Sequence, residues 1–157
     1  MEHEKLARLL KLAGGIALLG GCLMMFVYAP IRGSQLKQVY PGAAHLYWPG
    51  LILFWGFGGL LLAALIQYWK ICENIGDDRS FCPENAARMK TISVLLLAAA
   101  ALCAVPTVLF LMYGITAAWA EFVVFGMASL AMGMLAYALH RLLKSAADLQ
   151  AENDLTV

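Results

Sequence analysis

Metal or acid–base chemistry needs His, Cys, Asp and Glu side chains that converge, and this chain scatters them. His3, His45 and His140 lie far apart in sequence, whereas a zinc site wants three or four converging ligands. Cys22, Cys72, Cys82 and Cys103 form no C-x-x-C pair, which argues against a zinc site or a disulfide framework. No G-x-S-x-G, H-E-x-x-H or P-loop spacing occurs. The neighbours Asp77 and Asp78 have the residue types of a metal-dependent phosphotransfer site. Placed directly after Gly76, they read instead as a solvated turn. The expectation is a protein without cofactor or metal, and not an enzyme.

The polar chemistry that exists gathers in one stretch, residues 70–90, KICENIGDDRSFCPENAARMK. Two local signals sit inside it. Ile75-Gly76-Asp77-Asp78 is a helix stop followed by a turn. Cys82-Pro83-Glu84-Asn85 is a helix start, because proline suits the first helical position and Glu84 suits the positive end of the helix dipole. Residues 83–90 are therefore expected to be the first turns of a helix that continues into an apolar run.

The elements around this stretch are set by composition. Of the 157 residues, 62% are hydrophobic and 13% charged, against roughly 25% charged in a soluble domain. Lipid must be the solvent for much of the chain. Residues 12–29 form an unbroken apolar run of about 27 Å as a helix, close to the hydrocarbon thickness. With no small-x-small site after it and Pro30 following, the run reads as a span, not a cleaved signal. Further spans are expected at residues 51–69, 92–115 and 122–139. Pro30, Pro41 and Pro49, with Gly33, Gly42 and the adjoining Gly50, make residues 30–49 read as a loop, with Tyr40, Tyr47 and Trp48 as headgroup-level anchors. Pro106 is expected to kink the third span. Ser129-x-x-x-Gly133 suits close helix approach. Residues 114–121 form a short connection, which makes the last two spans antiparallel neighbours. Leu139, Leu142, Leu143, Ala146 and Leu149 keep helical spacing, so the fourth helix should run on to about residue 150.

The expected fold is thus an all-α membrane protein of four transmembrane helices in an antiparallel bundle, one domain with a cytoplasmic loop at 70–91 and a tail at 140–157. Nine of the eleven Lys/Arg residues fall at the termini and the central loop, and only Arg32 and Lys37 fall elsewhere. That asymmetry places both termini in the cytoplasm, where a Cys72–Cys82 disulfide is disfavoured. No ionisable residue lies near mid-bilayer; Lys11, Glu121 and His140 all fall at span ends. This lowers a proton-coupled transporter or channel. A net charge of +1 gives no support to direct nucleic-acid binding.

At the loop and the tail the chain resembles a known bacterial membrane family. The run Ser80-Phe81-Cys82-Pro83-Glu84-Asn85-Ala86-x-Arg88-x-Lys90-x-Ile92 is similar to the F-[ST]-P-E-N-A-x-x-[LM]-[RK] signature of the family "domain of unknown function 2975". Leu149-x-x-Glu152-x-Asp154-Leu155-Thr156-Val157 resembles that family's ending. Cys82 departs from the usual Ser or Thr, and a thiol is the poorer helix cap. The resemblance implies a bacterial inner-membrane protein with no known activity. Its members are often encoded beside small helix-turn-helix regulators, which implies a cytoplasmic transcription regulator as partner. The expected site is then loop plus tail: Phe81, Pro83, Glu84, Asn85, Arg88, Lys90, Leu149, Glu152, Asp154, Leu155 and Thr156. Arg88 or Lys90 is expected to pair with Asp148, Glu152 or Asp154, and Asn85 to bond the tail backbone. The leading expectation is a non-enzymatic regulatory protein that binds its partner there. The alternative is a small oligomeric transporter or exporter component, and the other expected contacts are the lipid bilayer and further copies of the chain.

Overall fold

The computed structural model describes residues 2–77 and 80–155, and among them every regular element is helical. Five α-helices follow in order: α1 (Glu2–Leu23), α2 (Ala29–Val39), α3 (Tyr47–Gly76), α4 (Pro83–Met112) and α5 (Thr116–Leu155). A π-helical turn, Met24–Tyr28, joins α1 to α2, and a 3-10 segment, Pro41–Leu46, joins α2 to α3. Four helical stretches are long and apolar enough to cross a membrane: Glu4–Val39, Pro41–Gly76, Pro83–Met112 and Thr116–Leu149.

The stretch expected to be a loop, residues 30–49, is almost entirely helical, and the reason lies at Pro30. Proline removes a backbone donor and its ring crowds the carbonyl four residues earlier. The helix absorbs this by widening over Met24–Tyr28, where the Ala29 N–H donates to the Met24 carbonyl in a five-residue step. In that register the Met25 carbonyl would receive its hydrogen from residue 30, which has none to give. Trp55 Nε1 fills the vacancy, donating to the Met25 carbonyl at 3.0 Å. Pro30 itself occupies the first turn of α2, where the missing donor is tolerated.

Pairs along the bundle fix the helix directions. Tyr68 Oη donates to the Leu10 carbonyl at 3.0 Å and Trp55 reaches Met25, so α1 and α3 run in opposite senses. Asn74 meets Asn85, and Gln67 meets Arg88, between α3 and α4. Ser93 Oγ donates to the Gly133 carbonyl at 2.9 Å, and His140 meets Ala86, between α4 and α5. The order of packing is α1 on α3, α3 on α4, α4 on α5. The α4–α5 seam is made of small residues: Ser93, Ala99 and Cys103 on one side, Ser129 and Ala136 on the other, all buried. Gly133 belongs here too, since a Cβ on it would come within 3.1 Å of Leu97. Small residues let two backbones approach and let a hydroxyl reach a carbonyl in lipid.

The last two helices differ from expectation at their turn. α4 ends at Met112 and α5 begins at Thr116, so the connection is residues 113–115 and not 114–121. Gly114 has φ +68°, the left-handed conformation that ends a helix. Its N–H bonds the Leu111 carbonyl, and the Ile115 N–H bonds the Phe110 carbonyl. Phe110 and Ile115 both enter the larger core cluster, the hydrophobic contact that accompanies this cap. α4 continues as helix through Pro106, which is buried.

Candidate functional site

The loop between α3 and α4 is shorter than residues 70–91. Ile71, Cys72 and Ile75 continue the packed face of α3, so the helix holds to Gly76, and α4 begins at Pro83. Cys82 has the extended backbone of an N-cap (φ −86°, ψ 150°), Pro83 opens the helix, and the thiol makes no capping bond. The Cys82 carbonyl accepts from Asn85 N–H at 3.1 Å and Ala86 N–H at 3.4 Å.

Asn85 is the centre of this end of the bundle. Its residue is 1% exposed, so its amide must find protein partners. Asn74 Nδ2 donates to Asn85 Oδ1 at 2.7 Å, and Asn85 Nδ2 donates to the Ser80 carbonyl at 3.1 Å. Asn74 Nδ2 also lies 3.7 Å from Cys82 Sγ. This clasp ties the end of α3, the loop and the start of α4 into one unit. The tail is tied separately: His140 Nδ1 donates to the Ala86 carbonyl at 2.7 Å, which places a hydrogen on Nδ1.

The remaining expected residues divide. Arg88 turns to α3, with Nη1 3.5 Å from Gln67 Oε1 and its Nε buried without a hydrogen-bond partner. Among the described residues neither Arg88 nor Lys90 forms an ion pair with the acidic tail. The geometry explains this: α5 stays helical, and Glu152 lies twelve residues past His140, roughly 18 Å along the axis. Phe81, Glu84, Lys90, Leu149 and Glu152 are exposed, and Pro83 is exposed on the first turn. Asp154 and Leu155 belong to α5 by backbone, but their side chains, like Thr156 and Asp78, fall outside the described residues.

The sequence did not single out Asn74 as the partner of Asn85. The helix stop at Gly76, with the apolar spacing of Ile71, Cys72 and Ile75, was the signal that could have placed it on the last turns of α3. Sequence reasoning also missed the polar contact at the opposite end. Arg32 Nε donates to Glu121 Oε1 at 2.8 Å, joining α2 to α5, with each side chain about one-third exposed. Nearby, Lys37 sits 4.7 Å above the Tyr47 ring and His45 Nε2 lies 3.3 Å from Tyr113 Oη. Phe54 separates a small pocket beside Arg32 from an apolar hollow of about 480 Å³ between α1, α3 and α5.

Residues 32–157 match a family model described as Protein of unknown function (DUF2975). The match begins inside α2 and takes in α3, α4, α5 and the whole clasp. No curated protein and no solved structure matches the chain.

Proposed function

We propose that this chain, which belongs to the DUF2975 family, is a non-enzymatic regulatory protein of the bacterial inner membrane. Both termini and the α3–α4 loop face the cytoplasm, and a soluble partner docks on that loop and the adjoining tail. The observation that carries this reading is the buried clasp around Asn85. It ties Asn74 at the end of α3 and Ser80 to the start of α4, and beside Ser80 stands Phe81 with 57% of its surface exposed. Phe81 and the neighbouring Glu84 then offer a rigid apolar and acidic knob, and a preformed aromatic anchor loses little entropy on binding. The family resemblance suggests a helix-turn-helix transcription regulator as the partner.

The test is co-purification of detergent-solubilised protein with the product of the neighbouring gene. Parent chain should retain the regulator. Phe81→Ala and deletion of residues 151–157 should each lose it while the protein still inserts and melts normally. Undiminished capture by both variants would overturn the reading.

A second reading, a small transporter or exporter component working as an oligomer, draws support from the apolar hollow beside Phe54 and the adjoining Arg32–Glu121 pocket. Substrate flux in vesicles containing this protein alone would favour it over the regulator.

A further inference from the structure

The outer face of α5 carries a stripe that its own bundle does not cover. Past Met132, which borders the hollow between α1, α3 and α5, Leu135, Leu139, Leu142, Ala146 and Leu149 are spaced by steps of 4, 3, 4 and 3, the a/d spacing of a coiled-coil seam. Leu135, Leu142 and Leu149 are each more than half exposed. The α4-facing residues Ser129, Gly133, Ala136, His140 and Ala147 lie on a different side of the helix. His140 is level with Ala86 in the first turn of α4, and Glu84, Arg88, Arg141 and Lys144 gather around that level; charges avoid hydrocarbon, which argues that lipid covers the stripe only up to there. Leu149 lies nine residues farther on, roughly 13 Å along the axis. There Arg141, Lys144 and Asp148 face water on the remaining sides. An apolar seam that passes unbroken from lipid into water needs a protein cover.

We infer that the cover is α5 of a second copy of this chain, packed in parallel about an axis normal to the membrane. Copies in one membrane share an orientation, so two α5 helices meet parallel and in register, each seam residue opposite its own counterpart. No charged residue lies in the seam. The positions beside it, Ala131, Ala138 and Ser145, are small and neutral, so nothing repels across the axis and the backbones can approach. The dimer places two docking loops side by side without using Phe81, and it assigns Leu149 to the seam and not to the partner site. It does not depend on the regulator reading, since it is read without any partner.

The test is oxidative crosslinking in native membranes of full-length chains with one added cysteine, against the parent chain as background. Leu142→Cys and Leu149→Cys should each yield a disulfide dimer at least tenfold more readily than Lys144→Cys or Asp148→Cys, which point away from the seam. In bicelles, the double change Leu142→Glu and Leu149→Glu should convert the dimer to monomer at unchanged helix content. Equal crosslinking at all four positions, or none at the seam, would overturn the inference. So would a protein that is monomeric before any change; a different protein would then have to cover the seam.

Discussion

Asn85 gives up its water on folding and has to replace it with protein hydrogen bonds. Asn74 supplies one of them from another helix. An Asn74→Ala change therefore removes a donor from a buried carbonyl oxygen, which typically costs about 1–3 kcal/mol, and unties the loop from α3. A lower melting temperature in matched detergent is the expected result; an unchanged one would mean that the clasp is ornamental. Cys82 gives the opposite sign. Its thiol sits at an N-cap and makes no capping bond. A hydroxyl accepts the orphan N–H groups better, so Cys82→Ser should stabilise by a few tenths to about 1 kcal/mol, read in the same melt. The cap itself was legible in the order Cys82-Pro83-Glu84, because capping is local chemistry. The Asn74 partner was not, because eleven residues and a helix end separate it from Asn85. Only packing decides that they meet.

At the scale of elements, the four spans followed from apolar length, and the end of α3 and start of α4 from Gly76 and Pro83. What failed was the stretch after the first span. Three prolines and three glycines between residues 30 and 50 signal breaks in water. Here a π turn and a side chain from another helix absorb the first of them. That account predicts a specific loss. Trp55→Phe keeps the ring but removes the donor to the Met25 carbonyl, leaving a polar group unpaired beside lipid at a cost of about 1–3 kcal/mol. Hydrogen exchange should rise at Met24–Tyr28 in particular; a uniform change across α1 would argue against the assignment. The α4–α5 turn offers a cleaner test. Gly114 has φ +68° and open space around its Cβ position, so Gly114→Ala meets only backbone strain. A loss of about 1–2 kcal/mol is expected, and a larger one would point to a contact beyond the turn.

Across the whole molecule the two ends of the bundle are chemically unlike. Among the described residues, one end holds the start of α1, the end of α5, the amide clasp and eight of ten basic residues; the other holds the Arg32–Glu121 pair, Lys37 and exposed Trp48. Arg32 is half of the basic charge at its end, and Glu121 neutralises it at 2.8 Å. That pairing holds α2 against α5 and leaves the expected orientation resting on the Lys and Arg count alone, since acidic neighbours contribute little to it. Orientation can be read with a membrane-impermeant maleimide on intact cells. Ser34 and Ser145 are both exposed and stand at opposite ends, so each reports one side once changed to cysteine. Ser34→Cys should label from outside, and Ser145→Cys only after the cells are opened. Cys82, already in the α3–α4 loop, serves as an internal check: in the parent chain it should stay unlabelled in intact cells. Labelling of Ser145→Cys from outside would invert the protein and put the Phe81 loop beyond the reach of any cytoplasmic partner. The regulator reading would then fall, while the α5 pairing, which needs only a shared orientation, would stand.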